Sequence, residues 1–509
     1  MSDRRLAVGL FGLAFVAYAW FFGGAGWNQN ANFNLTRALV EQQTIRIDGF
    51  PPNTGDFSFV DGKAYSNKPP GLSMLAAIPY ALVFAFASDP AATMTQIVLL
   101  YWCTVATCAT TGALLIATFF LYARRIGATQ RTALAVSLTL AFGTYLFAYS
   151  TLFFAHVPSV FFLFLSFVLA QRRPLLSGAA AGMAVLCNYT VVIALPAVAA
   201  LVLVLVQAAA ADKPMGRMGR IGRWIAGGVP FALLLAAYHN AAFGSPFTTA
   251  SETSNPMFTE SHLWLGLFGV PKLPVLFELT FGAQRGLFFL SPVLLAAIAG
   301  AVVMLRRGLR IELAAIAWIV VAFLLVNASF NGWHGGSAIG PRYLLPIVPF
   351  LGVAMLFATP KLRTLWLALA VVSFAFNFVA VAVNPQPSQQ IARPLDRYLF
   401  PLFVTGRLPD DVPPRPLTDW KVMLGHVSVM SQAPDETTPF TRHAPGSRES
   451  FWSSFNAGEL LWPGSPLSTL PVLLWIVAGG IFMGRAAPGT PTFRRSRRAQ
   501  SSGPASSGR

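Results

Sequence analysis

"LSMLAAIPYALVFAFA", residues 72–87, is the stretch on which the topology of the whole chain turns. It is apolar and close to the length of a membrane span, which takes roughly 20 apolar residues or about 17 at the short end. If it crossed, Arg124, Arg125 and Arg131 would lie on the outer side, and every later basic cluster would invert with them. If it does not cross, those arginines share a side with Arg4 and Arg5. Arg172/Arg173, the basic run from Lys213 to Arg223, Arg306/Arg307/Arg310, Lys361/Arg363 and Arg485 then fall there too. Basic residues collect in cytoplasmic loops, so the second arrangement is expected. Residues 72–87 then form a re-entrant or interfacial helix, broken by Pro79, that dips back to the outer face.

Working outward, the apolar runs 6–23, 95–122, 132–149, 157–171, 176–190, 192–210, 224–243, 286–305, 311–328, 344–358, 363–383 and 467–484 read as spans. The expected fold class is an all-α polytopic membrane protein of about 12 transmembrane helices. It has a long first outer loop (24–90), a small outer segment (384–466) before the last helix, and both termini in the cytoplasm. The first run follows Arg4 and Arg5 and lacks a small-residue cleavage site with a soluble domain behind it, so it reads as an anchor. The tail from Arg485 to residue 509 is basic and rich in Ser and Gly, and is expected to be disordered and to touch the inner leaflet.

Composition agrees with this reading. Of 509 residues, 55% are apolar and only 11% charged, roughly half the charged fraction of a soluble protein. The net charge of +17 sits in short clusters between apolar runs. A nucleic-acid partner would need it gathered on one soluble face, so none is expected. Cys103, Cys108 and Cys187 lie inside apolar runs, with no spacing for a metal or a disulfide framework. Of the nineteen Asp and Glu, all but Asp3, Asp212 and Glu312 are assigned to the outer side, and none to a span. Carboxylate chemistry therefore belongs to the outer face, and a proton-coupled transporter, which needs an ionisable group at mid-membrane, is disfavoured.

The first outer loop opens with Trp27 and a polar helical segment, 28–43, in which Leu35, Ala38 and Leu39 share one face. It continues as "IDGFPPNTGDFSFVDGKAYSNKPPG", residues 47–71, where Pro, Gly and Asn punctuate short extended pieces. Asp48, Asp56 and Asp61 project from these turns. Asp56 after Gly55 and Asp61 before Gly62 are good turn formers in their own right. Their crowding beside Lys68, against a hydrophobic surface, also suits carboxylates with tuned pKa values. Between two later spans, "FNGWHGGSAIGPRY" (330–343) carries Trp333 and His334, with glycines that allow close backbone approach. Arg342 lies at the outer end of the following helix. It either snorkels to lipid head groups or grips a phosphate with its planar fork. His156 and His334 both face outward, as hydrogen-bonding groups or as acid–base candidates.

Tyr65, Lys68, Pro69 and Pro70, in a Tyr-x-x-Lys-Pro-Pro stretch, and Arg37 in the surface helix carry a resemblance. With one span, a long outer loop and many further spans, they resemble the GT-C glycosyltransferases. The likeness is strongest to the branch of the aminoarabinose transferase of lipid A and the protein O-mannosyltransferases. "FGSPF" (243–247), "RGLFFLSP" (285–292) and "GPRYLLP" (340–346) are similar to patterns in uncharacterised bacterial members. The resemblance implies a GT-C-like core over 1–383 in a bacterial inner membrane. Its activity would be inverting transfer of a hexosyl or pentosyl group from a polyprenyl-phosphate donor to an envelope glycan, lipid or protein at the outer face. It implies a first-loop acid as general base, with Lys68 and Arg342 meeting the phosphate. Where those relatives open the surface helix with an Asp-Glu pair, this chain has Asn28 and Gln29, and neither amide takes a proton. Either the base is Asp48, Asp56 or Asp61, or the scaffold is kept without the chemistry. A transporter or flippase of an envelope precursor is the reading from another class. No cofactor is required by the spacing of His, Asp and Glu, and a divalent cation bridging phosphate and loop carboxylates stays open.

Overall fold

The computed structural model describes residues 1–50, 53–89, 92–204, 216–358, 363–405, 455–462 and 465–487. Each apolar run read as a span forms helix within these residues. Five helices among the described residues are long and apolar enough to cross a membrane: Met94–Arg125, Arg217–Phe243, Arg310–Ser329, Arg363–Val383 and Pro466–Ala486. Others are shorter, including His156–Leu169, Pro174–Cys187 and Arg342–Ala358. Of the expected outer segment 384–466, residues 406–454 and 463–464 lie outside the described part. So do 488–509 of the expected tail, Asp212, Lys213 and Lys361.

Pro79 does not break its helix, which runs without interruption from Gly71 to Phe84. Proline removes one backbone donor and crowds the preceding turn. Here burial compensates: Leu72, Ala76 and Tyr80 pack into a core cluster with Phe33 of the surface helix Trp27–Glu41. Tyr80 stands edge-to-face on Phe33 at 5.7 Å. In Met94–Arg125 the register slips through a π-helical turn at Val105–Ala109, where the hydroxyl of Thr110 donates to the carbonyl of Val105 at 2.9 Å. Elsewhere, helices pack backbone to backbone. A side-chain carbon at Gly178 would lie 1.8 Å from the carbonyl of Trp224, and one at Gly227 2.0 Å from that of Leu175. Only glycine permits such an approach, the small-residue packing that helices use in lipid.

The two ends of the bundle differ. At one, the N-terminal amine donates to the carbonyl of Ala486 at 3.0 Å, Arg124 pairs with Asp3 at 3.0 Å, and Arg131 and Arg220 donate to Ala487 and Gln171 carbonyls. These cations meet the carbonyls that helix ends leave unpaired. At the other end, the loop 24–90, residues 244–285, the stretch 330–343 and the described start of 384–466 come together. A hairpin pairs Phe57–Val60 with Lys63–Ser66, turning through Asp61 and Gly62 at φ 49 and 75, the two-residue turn whose twist suits hairpins. Residues 253–255 join its edge, with Phe59 N donating to Thr253 O and Asn255 N to Phe57 O, both at 3.0 Å. Asn331 donates to the carbonyl of Phe258, and Ala338 and Ile339 donate to those of Pro387 and Pro385.

Candidate functional site

The site grows from the start of the surface helix. Gln29, Asn30, Asn32 and Asn34 are all buried there. Asn30 donates to the carbonyl of Asn53 at 2.7 Å and Asn34 to its side-chain oxygen at 2.9 Å. Gln29 donates to Gln386 at 2.7 Å, which donates in turn to the carbonyl of Gly23. Asn28 lends its carbonyl to Asn32. A carboxylate has no proton to donate into such bonds. Gln29 and its neighbouring amides therefore glue the outer segments together.

Asp56 is placed by what that glue holds. The hydroxyl of Thr54 donates to the carbonyl of Trp27 at 2.7 Å and receives the backbone N–H of Asp56 at 3.0 Å. Gly55 lies flat against the Trp27 ring, where a side-chain carbon would come within 2.6 Å. The carboxylate meets the ammonium of Lys68 at 3.1 Å, with side chains only 13% and 21% exposed. The pair is thus mostly dry, in contrast to Asp48 and Arg46, which pair at 2.5 Å with 31% and 45% exposed. The hydrogen bond from Arg46 holds Asp48 below the usual carboxylate range.

Near enough to this pair for charge to act between them is a group built on Tyr343. The Arg342 guanidinium lies 4.8 Å from the Tyr343 ring centre and 5.5 Å from that of Phe154. It donates to the Tyr343 hydroxyl at 2.8 Å, while its Nε is buried with no hydrogen-bond partner among the described residues. His156 stands edge-to-face on Tyr343 at 5.7 Å. Charge links the two groups: the Asp56 carboxylate acts on Arg342, and Arg342 and Lys68 both act on His156.

Arg285 completes the site and was not singled out from the sequence. It is fully buried, and donates to three backbone carbonyls: His334 at 2.6 Å, Gly336 at 2.8 Å and Gln284 at 3.3 Å. No carboxylate pairs with it among the described residues. Burial pushes its guanidinium down to about 10, still charged at neutral pH. In the sequence it stands just ahead of the apolar run 286–305, with no charged neighbour to mark it. His334 accepts from the N–H of Gly336 at 3.0 Å. Burial, with Arg285 and Arg342 beside it, holds this imidazole below its usual range. Trp333 packs against the His334 ring at 5.9 Å.

The remaining sequence candidates fall elsewhere. Asp61 is exposed at the hairpin turn. Arg37 lies over the Phe50 ring at 4.3 Å and pairs with Glu41 at 2.9 Å, and Glu41 also accepts from Tyr80. This network ties the surface helix to Gly71–Phe84. Tyr65 is buried in an apolar cluster with Leu35, Tyr238 and Phe243. No three His, Cys, Asp or Glu side chains among the described residues converge where a metal ion could sit.

No family model matches the chain, and no curated protein matches it. Solved structures do. ArnT from Cupriavidus metallidurans in the apo state is 15% identical with a TM-score of 0.46, covering 79% of this chain and 70% of that one. The same protein bound to undecaprenyl phosphate is 13% identical with a TM-score of 0.44, at the same coverage. The archaeal oligosaccharyltransferase AglB from Archaeoglobus fulgidus, in complex with an inhibitory peptide and a dolichol-phosphate, is 12% identical with a TM-score of 0.44. It covers 85% of this chain and 61% of that one. The chain is similar to structures of GT-C superfamily members.

Proposed function

We propose that the protein is an integral membrane glycosyltransferase, moving a sugar from a polyprenyl-phosphate donor to a cell-envelope acceptor at the outer face of a bacterial inner membrane. In this reading about twelve helices cross the bilayer, both termini are cytoplasmic, and the amide-rich outer layer carries the site. The core covers 1–383, residues 384–466 form an outer segment, 467–484 the last span and 485–509 the inner tail. The observation that carries the proposal is the mostly dry Asp56–Lys68 pair, near an Arg342 whose Nε is buried without a partner among the described residues.

A lipid-linked donor arrives sideways from the bilayer, so its phosphate reaches the layer where helices give way to the outer loops. In the resting site Lys68 is spent on Asp56. An entering phosphate competes for the ammonium, and Arg342 adds a second cation. Drawing Lys68 away frees the carboxylate to accept the proton of an acceptor hydroxyl. That oxygen then attacks the anomeric carbon as the bond to the phosphate oxygen breaks, inverting the centre. The negative charge grows on the leaving polyprenyl phosphate, where the two cations stabilise it. Asp56 ends protonated and passes its proton to water.

The alternatives, a non-catalytic scaffold and a flippase, make different predictions. Asp56→Asn and Lys68→Ala should each lower sugar transfer by at least about a hundredfold while leaving membrane insertion intact. Full transfer in both variants sinks the site assignment. Movement of lipid-linked sugar across vesicles without any glycosidic bond being made supports the flippase.

A further inference from the structure

Asn188 follows the helix Pro174–Cys187, and its side-chain oxygen accepts from the Thr190 N–H at 3.2 Å and from the Thr190 hydroxyl at 2.9 Å. A backbone N–H only donates, so the oxygen is the amide atom turned to Thr190 and the NH2 group points away. That NH2 lies 3.2 Å from Nδ1 of His156. Being a donor, it obliges Nδ1 to accept. The ring is then neutral, with its proton on Nε2.

His156 is only 8% exposed, and Nε2 is buried with no hydrogen-bond partner among the described residues. A buried N–H left unmade costs about 1–3 kcal/mol. Against the same Tyr343 ring, Nε of Arg342 is a second buried donor without a partner among the described residues. Two such donors share one aromatic ring, with Lys68 close enough for its charge to act on the imidazole. This arrangement calls for an oxygen-bearing anion.

We propose that His156 presents a neutral Nε2–H to a phosphate oxygen of the bound ligand, with Asn188 as the positioning residue that holds the tautomer. The inference rests on the transferase reading for the identity of the phosphate, while the tautomer follows from the Asn188 geometry alone. A neutral donor adds a directed bond without a further positive charge beside Lys68 and Arg342, which serves a site that must release its product.

The test uses the full-length protein in lipid nanodiscs, with histidine ring nitrogens labelled with nitrogen-15. The probes are a polyprenyl monophosphate, inorganic phosphate and phosphatidylglycerol. The expected spectrum has one ring with bare Nδ1 and protonated Nε2, whose N–H resonance moves on adding the polyprenyl monophosphate. Replacing the ring nitrogens in His156→Phe should weaken that lipid's binding about ten- to a hundredfold, and His156→Gln, which returns an N–H, should recover much of it. Asn188→Asp should move the proton to Nδ1 and weaken binding in the same sense. Wild-type binding by His156→Phe, or an Nε2–H indifferent to every probe, overturns the proposal while leaving the transferase reading standing. Loss of lipid binding in Lys68→Ala marks that outcome as specific to His156. No phosphate binding by the unaltered protein brings down both. A resonance shift with inorganic phosphate alone keeps the donor and overturns the lipid as its source.

Discussion

The two ends of the molecule use arginine in opposite ways. At the basic end Arg124 is 27% exposed and paired with a solvent-reached Asp3, and its neighbours meet loose carbonyls at helix termini. At the other end Arg285 is fully buried among backbone carbonyls and Arg342 lies between aromatic rings, with no ion pair for either among the described residues. The first use meets the carbonyls of helix ends where water reaches, and tolerates loss. The second holds positive charge where water does not screen it, at a cost in desolvation that stability alone does not justify.

Removing each kind of arginine tests this contrast, and the largest difference is expected at Arg285. Arg285→Ala leaves the His334 and Gly336 carbonyls buried without a donor and should cost about 3 kcal/mol or more, read as unfolding in detergent. Lysine, with a single ammonium, should not restore the spread of three bonds. Arg124→Ala should cost less than about 1 kcal/mol, as exposed pairs do. Equal losses at the two sites would erase the distinction.

How much of this was readable beforehand follows the same division. The basic end was legible because topology depends on charge counted along the chain, and a cluster such as Arg124, Arg125 and Arg131 needs no folding to be counted. The candidacy of Asp56, Lys68 and Arg342 was legible too, since Gly, Pro and charge mark an outer loop. Their ranking was not. Asp48, Asp56 and Asp61 look alike in sequence, and only the Trp27–Thr54–Gly55 packing sets Asp56 apart. Arg285 and Asn188 escaped notice because their meaning lies in partners far along the chain, backbone carbonyls in one case and an imidazole in the other. Pro79 misled because the breaking rule is local and the burial of Tyr80 is not. Of the two amides conspicuous as missing acids, Gln29 donates into a network that no acid can join, whereas Asn28 only accepts there.

A pH series sharpens the contrast from another side. His334 has its folded pKa lowered below the ordinary value near 6.5, so the unfolded chain takes up the proton first as pH falls. Its contribution to stability is complete above about 6.5 and is lost as pH drops through the lower folded value. Thermal unfolding between pH 8 and 5 should therefore fall more steeply on the acid side for the unaltered protein than for His334→Gln. Identical profiles would place His334 outside the charged environment described here. The smallest effect is expected at the exposed pair: Arg46→Ala should leave sugar transfer within about twofold, since a screened surface pair contributes little.

The central claim is that one carboxylate of the first outer loop differs from its two neighbours by being mostly dry, paired with Lys68 and within reach of the charge of Arg342. The direct measurement is the rate of sugar transfer from a polyprenyl-phosphate donor panel by Asp48→Asn, Asp56→Asn and Asp61→Asn, each purified in lipid and compared with the unaltered protein. The expected result is loss of at least about a hundredfold in Asp56→Asn alone, with the other two near full rate. Equal activity in all three, or loss centred on Asp48 or Asp61, would contradict it.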